Sequence, residues 1–456
     1  MHRTPLIAIG GIVGALAITA CDLDVPDLNN PGIDDLKNNP TAISIGVAST
    51  GLLIGNRTGH GNEGGYVSSL GILARESYCF DSADPRFVSE LLERVLNPGS
   101  PFGGGFWLQP YANIRLANII LGAVDKVADI TTENRHAIVG FAKTMQALDL
   151  LRIINTHDTN GAVVDTNHEP TDPPSPLVDK PTTFTTIAKL LDDAVPELTA
   201  GGAAFPFLFD DGFSGFDTPM TFLTVNRAVR ARVAVYMKDY AKALTFLDSS
   251  FIDDNTDHTI DFDNGVYYTY TTKGGDVTNG LFNPNIYVHG SVMADVQAGD
   301  LRLPRKIGPA VQPGQARGLS SSTAFKLYTK PTSSISLIRN EELILLKAEA
   351  LWFTNAKQMA IDELNIVRER QGGLAKITTL PADDAAFTTA LLYERRYSLL
   401  FEGHRLIDLR RFERTMDIPV ENAPNGMPHK RNIRYPIPLG ECNARPGEPR
   451  CMLGST

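Results

Sequence analysis

The sequence predicts a mostly α-helical protein, a tetratricopeptide-like helical-repeat scaffold with loop-rich insertions and little β structure. Three observations carry that expectation. Leu343, Leu346, Ala350 and Phe353 fall at i, i+3, i+7 and i+10, one apolar stripe with Arg339, Glu341 and Lys347 lying off it. Ala360, Leu364 and Val367 repeat the spacing before Gly372 and Gly373 stop the second helix, so the two form an antiparallel hairpin. Ala348 and Ala360 stand twelve residues apart, and Ala231 and Ala243 repeat that separation with Lys238 and Asp239 suited to the turn. A small residue on each member lets two helix backbones approach, as stacked helical repeats require.

At the amino terminus, Met-His-Arg-Thr-Pro, an apolar run from Leu6 to Ala17, and Ile18-Thr19-Ala20-Cys21 give a lipoprotein signal peptide, residues 1–20, with lipid attachment at Cys21. The fifteen residues from Leu6 to Ala20 fall short of the roughly 20 that a spanning helix needs. Residues 21–38, polar and punctuated by proline, read as acyl anchor and tether, and 39–456 as one helical domain. Pro40 opens a helix to about Leu53. Residues 55–65 form a flexible Gly/Asn loop that lacks the Gly-Lys-Ser/Thr ending of a phosphate cradle. Residues 66–105 are polar, aromatic-bearing and glycine-rich, and carry Asp81 and Arg86 on the kind of surface that holds ligands. Trp107 heads a helix through Leu121, and residues 133–155 answer it. A loop at 156–183, a helix from Phe184 to Leu198 and a Gly/Phe/Asp loop at 201–219 precede the pair built on Ala231 and Ala243.

Residues from about 251 to 338 change character and read as an inserted, loop-rich region, with Tyr268 and Tyr270 on one side of a short strand and Tyr267 on the other. Asp253, Asn255, Asp257 and Asp261 match four positions of a calcium loop. His258 replaces the glycine of its sharp turn, however, and Asn264 the closing bidentate glutamate, so a solvated acidic loop is expected and no metal site. After the hairpin a third helix gathers Glu394, Arg395, Arg396, Glu402, Arg405, Asp408, Arg410 and Arg411. Glu402 to Arg405 and Arg405 to Asp408 are both i, i+3, so opposite charges can meet on one face. The expectation is a structural ion network of Arg339, Glu342, Glu394, Arg396, Glu402, Arg405, Asp408 and Arg411 that pins the carboxy-terminal segment. Cys442 and Cys451 flank a turn-rich segment that a disulfide would close, which leaves Cys79 unpaired.

A net charge of −10 disfavours nucleic acid as a partner. The densest carboxylates lie among arginines, which lower carboxyl pKa and spoil a general acid, and no nucleophile elbow appears, so the reading is a binder without cofactor rather than an enzyme. Holding a ring-shaped ligand asks for aromatic faces with polar groups beside them. The candidates are Trp107 with Phe106 after a triple glycine, the tyrosines 267, 268 and 270, and Asp81 and Arg86. Trp107 has an equal alternative as a structural tryptophan heading its helix, and Trp352 reads as core.

Several pieces in order carry a resemblance. They are Arg339-x-x-Glu342 before Leu-Ile-Leu-Leu-Lys-Ala-Glu-Ala, then Leu364-Asn365-x-Val367-Arg368-x-Arg370, then Glu394-Arg395-Arg396 with Phe401-Glu402-Gly403-x-Arg405-x-x-Asp408-Leu409-Arg410-Arg411, then Tyr435-Pro436-Ile437-Pro438. Trp107-x-x-x-Tyr111-x-x-Ile114-x-x-Ala117-Asn118 and Asp300-x-Arg302 are weaker echoes. In these the chain resembles the SusD/RagB outer-membrane nutrient-binding lipoproteins. Gly161-Ala162-Val163 departs from the Gly-x-Pro usual in that family. The resemblance implies a lipid-anchored protein outside the outer membrane that caps a TonB-dependent transporter and captures an oligosaccharide or other nutrient. The alternative is a helical-repeat scaffold that binds only proteins.

Overall fold

The computed structural model describes residues 32–169 and 171–456. The signal peptide, Cys21 and most of the expected tether lie outside the described residues. The end of that tether is helical instead: α1 (Ile33–Asn38) buries Leu36. Helix α2 (Ala42–Arg57) starts after Pro40, because Thr41 is its cap, accepting from the Ser44 N–H at 3.1 Å while the Ser44 hydroxyl receives the Thr41 N–H. Helix α3 (Tyr66–Leu73) is buried on every side and so lacks the amphipathic pattern by which helices are found. Strand β1 (Ser77–Cys79) and the single turn α4 (Arg86–Ser89) follow.

The scaffold then runs α5 (Leu108–Ala123), α6 (Thr132–His157), α7 (Lys180–Thr199), α8 (Pro219–Tyr236) and α9 (Tyr240–Asp248), each packed on the one before. Ala231 and Ala243 are fully buried between α8 and α9, and Lys238 in their turn takes the left-handed conformation at φ 61°. At Gly140 α6 and α7 pack closely, and a Cβ there would sit 2.7 Å from Leu198.

The inserted region holds more β structure than its loop-rich composition suggests. It comprises β2 (Gly265–Tyr268), β3 (Ile286–Val288), α10 (Gly290–Ala294), α11 (Arg302–Lys306), β4 (Ile307–Ala316), β5 (Leu319–Phe325) and β6 (Ile335–Arg339). The strands pair antiparallel as β1 with β3, β2 with β6, and β4 with β5. The acidic run at 253–261 closes on itself: the Asn255 N–H donates to Asp253, the Asp257 N–H to Asn255, and Asp254 meets Lys347.

Helices α12 (Asn340–Phe353) and α13 (Lys357–Arg370) form the expected hairpin, with Ala348 and Ala360 both fully buried. Trp352 is core, its ring 4.2 Å from Phe387 and nearly parallel to it. The expected third helix is two, α14 (Asp384–Ser398) and α15 (Arg405–Arg411), broken where Phe401 and Gly403 take φ of 58° and 85°. That break corrects the ion pairing. Glu402 turns to Arg339 at 3.0 Å rather than to Arg405, which meets neither Glu402 nor Asp408 and donates to the Leu392 carbonyl at 3.3 Å. Asp408 joins Arg395 at 2.7 Å and Arg411 at 2.9 Å, and Arg411 also grips Glu349. Glu394 is shared by Arg302 and Arg368, Arg396 pairs with Asp295, and Glu342 with Arg232. Charges on α8, α11, α12, α13, α14 and α15 thus meet in pairs through the interior, where each buried ion needs its partner. The tail carries α16 (Leu439–Ala444) and a Cys442–Cys451 disulfide with Cα atoms 5.6 Å apart, beside which Arg445 donates to the Ser175 carbonyl.

Candidate ligand-binding site

Four loops converge at one end of the β1–β3 pair. Its register sets Cys79 opposite Ile286, so residues 80–86 lie beside 279–285, and the Phe80 N–H donates to the Asn285 carbonyl at 2.8 Å. The third loop, 58–65, is not the flexible segment its glycines suggest. The Gly65 N–H bonds Asn62, the Tyr66 N–H bonds Gly59, Gly280 donates to the Gly61 carbonyl, and buried His60 packs between Tyr66 and Tyr268. Glu63 stands where these meet, accepting from the Cys79 thiol at 3.2 Å and the Asn285 carboxamide at 3.5 Å. Burial pushes its carboxyl up, and the nearby Asp81 and Asp84 carboxylates push the same way against those hydrogen bonds. The fourth loop, 97–105, is fastened by Glu90, which receives the Gly103 N–H at 3.2 Å, and places Phe102 edge-on to Phe87. Arg86 lies 5.5 Å over the Phe102 ring and forks onto Asp84 with two bonds of 2.7 Å, which hold that carboxyl below its ordinary range.

Phe282 projects from the second loop at 49 % exposure. The four loops therefore offer an exposed apolar ring, Phe282, and on the same loops Asn62, Glu63, Asp81, Arg86 and Asn283. That combination stacks on the apolar side of a ring-shaped ligand and exchanges hydrogen bonds with its hydroxyls. Its base is braced by Glu421, which accepts from the Arg75 Nε and the Tyr78 hydroxyl at 3.1 Å each and meets His289 and His429. Burial pushes the Glu421 carboxyl up, but bonds from the two histidines and the Arg75 charge outweigh it and hold it far below the carboxylate range.

Residues 316–447, from the β4–β5 turn through α16, match the family model of the SusD family. Solved structures match almost the whole chain. Surface glycan-binding protein A from Bacteroides thetaiotaomicron, in complex with laminarihexaose, aligns at TM-score 0.69 and 15 % identity over 91 % of this chain and 99 % of its own. A SusD-like carbohydrate-binding protein from Bacteroides vulgatus aligns at 0.68 and 17 % over 89 % and 96 %. A SusD superfamily protein from Bacteroides vulgatus aligns at 0.67 and 16 % over 91 % and 98 %. The chain has the SusD fold. No curated protein matches it.

Within that SusD fold the residues singled out from sequence divide sharply. Asp81 and Arg86 stand on the loop face. Trp107 does not: it is 5 % exposed, 4.8 Å from Tyr111 and 4.9 Å from His157, a core ring heading α5. Phe106, at φ 60°, turns inward edge-on to Tyr435. Tyr268 and Tyr270 are buried too, the first donating to the Asn56 side-chain Oδ1 at 2.7 Å and the second lying beneath Arg57. Trp107, Tyr268 and Tyr270 are buried and Phe106 is partly buried against Tyr66 and Tyr435, so none of the four stands on the loop face. Tyr267, on the outer side of β2, is half-buried and lines a separate cleft. Glu63, Asp84, Asn285 and Phe282 were not singled out from sequence. A lone phenylalanine in Gly280-Leu281-Phe282-Asn283-Pro284, a turn with no apolar period, is the signal that could have found Phe282. Among the described residues no group of histidine, cysteine or carboxylate side chains is placed to hold a metal.

Proposed function

We propose that this chain is a surface-exposed nutrient-binding lipoprotein, anchored in the outer membrane through Cys21, which captures an oligosaccharide on its loop face and passes it unaltered to a TonB-dependent transporter. One observation carries the ligand class: an exposed phenylalanine on one of four converging loops that also bear carboxylates, carboxamides and a guanidinium. The laminarihexaose bound to a protein of the same fold supports an oligosaccharide as cargo. Lipid anchoring rests on the cysteine after the apolar leader, and the transporter on the SusD family match of residues 316–447. Binding without turnover fits the carboxylates of the ion network, which are paired with arginines.

The test is a glycan panel, laminarihexaose included, scored for both binding and cleavage, with Phe282→Ala beside the wild type. Retention of one glycan class, intact glycan recovered, and loss of affinity in the variant are expected. Hydrolysed products would make the chain an enzyme. Absence of any glycan binding, with a transporter still co-purifying, would favour the scaffold that binds only proteins.

A further inference from the structure

Where α3, α6 and α8 meet the β2–β6 pair and the break before α15, side chains surround a cavity of about 60 Å³. His60, Tyr66, Arg152, Asn155, Arg232 and His404 are on its wall. Arg152 is 5 % exposed and joins no ion pair among the described residues: its Nη1 donates to the Thr58 and Asn56 carbonyls at 2.6 and 3.4 Å, and its Nη2 to nothing. Asp149, one turn earlier on α6, spends its oxygens on the Asn56 and Asn113 carboxamides at 2.8 and 2.6 Å. Burial raises that carboxyl to about 7, so near neutrality it is only partly charged. The other charges on the wall are matched. Arg232 pairs with Glu342, and Glu402 with Arg339. Burial, the largest influence on both histidines, lowers His60 and His404 from their ordinary value and keeps them neutral at neutral pH. One positive charge is therefore left without a full partner, and a buried guanidinium needs one.

The unspent hydrogen-bonding groups of the same wall are mainly donors. Arg232 engages Glu342 and the Leu337 carbonyl through Nε and Nη2, which leaves Nη1 over. The Tyr66 hydroxyl accepts from Asn155 at 3.4 Å, and its own proton has no acceptor among the described residues. Arg152 Nη2 and Arg232 Nη1 are not sealed in: each keeps accessible surface, and both residues line the cavity.

We propose that this cavity is a binding site for one small monovalent inorganic anion, such as chloride, held by Arg152 and Arg232 with the Tyr66 hydroxyl donating to it. The volume holds on the order of two to four waters, which admits a monatomic anion with residual water and excludes a sugar ring. Water that shares the space serves the Asn155 carboxamide oxygen. Because Arg152 also holds the Thr58 carbonyl, the ion fastens the root of the 58–65 loop to α6 and α8. The site is independent of the glycan reading.

The test is to dialyse the mature chain into sodium gluconate, whose anion is too large for the cavity, and to add sodium bromide at constant ionic strength while following thermal unfolding. Anomalous diffraction is collected from crystals grown in bromide. Wild type, Tyr66→Phe and Arg152→Met are compared. The expected results are an anomalous bromide peak beside Arg152 and Arg232, and a saturable rise of the unfolding midpoint with bromide. Tyr66→Phe keeps the ring and both arginines and should raise the half-saturating bromide about tenfold, through loss of one hydrogen bond to a charged group. Arg152→Met should abolish the rise, and if that variant does not fold, the wild type and Tyr66→Phe still decide. Water alone in the cavity, with bromide at surface positions only, would overturn the site. So would a midpoint that responds to bromide identically in the wild type and Tyr66→Phe.

Discussion

Arg232 on α8 grips Glu342 on α12 through two parallel bonds, Nε to Oε1 at 2.7 Å and Nη2 to Oε2 at 2.6 Å, across 110 positions of sequence and with both side chains buried. The pair fastens one helical hairpin to the next. Removing one partner leaves the other charge buried and alone, so Arg232→Met or Glu342→Gln is expected to cost about 3–5 kcal/mol in denaturant unfolding, while the doubly apolar Arg232→Met/Glu342→Met recovers much of it. Burial pushes the Glu342 carboxyl up, but Arg232 and then His404 outweigh it and bring it down to about 2. A depressed carboxyl contributes stability above its unfolded value near 4.5 that is lost as pH falls towards 2, on the order of 3 kcal/mol. Acid titration of wild type against the double variant checks this. Equal slopes would refute the assignment.

The loop face predicts a different phenotype. Phe282 is half-exposed and Asp81 bonds only a local N–H, that of Ala83, so Phe282→Ala and Asp81→Asn are expected to leave the unfolding midpoint within about 0.5 kcal/mol. Glycan affinity should fall about tenfold or more in each, since an aromatic platform and a charged acceptor are each worth on the order of 1 kcal/mol or more. Calorimetry on the best glycan of the panel decides it. Unchanged affinity in both variants would move the site elsewhere.

The helical hairpins were legible because their signal is local. Ala348 with Ala360 and Ala231 with Ala243 are buried as their spacing requires, and Cys442 and Cys451 are joined. What escaped was set by distant partners. Nothing near Glu342 names Arg232, and nothing near Glu402 reveals that a left-handed Phe401 breaks the helix and hands Glu402 to Arg339. Helix α3 was missed because total burial erases amphipathic period, and the β4–β5 hairpin because a long inserted loop and a hairpin share the same turn-rich composition. Trp107, Tyr268 and Tyr270 turn inward, which escaped for a related reason: sequence shows that they are aromatic but not which way their elements face.

Trp107 therefore carries stability rather than affinity. Trp107→Ala empties a site closed by Tyr111 and His157 and is expected to cost about 3–5 kcal/mol, whereas Trp107→Phe keeps most of the contact and loses less. Thermal unfolding of the two variants ranks them. If Trp107→Ala unfolds like the wild type and binds glycan more weakly, the ring is a platform after all.

His157, packed against Trp107, works against stability in mild acid. Burial pushes His157 down to about 4, with the nearby Arg410 charge acting the same way and a bond to the Ile153 carbonyl resisting. Above the unfolded value near 6.5 the ring is neutral in both states and costs nothing. Between 6.5 and about 4 the unfolded chain binds a proton that the native chain refuses, so stability falls by about 1.4 kcal/mol per pH unit from this residue. Three buried carboxyls work in the opposite sense. Burial raises Asp149, Glu76 and Glu363 to about 7, so each contributes stability at low pH that disappears as pH rises towards 7. Together they outweigh the one histidine over this interval, so only a difference isolates it. The quantity to follow is the unfolding free energy of the wild type minus that of His157→Gln, in which any fixed cost of the substitution is constant. It should shrink steadily from pH 6.5 to 4 and level off on either side. A difference that stays flat across that interval would show that His157 titrates alike in the folded and unfolded chains.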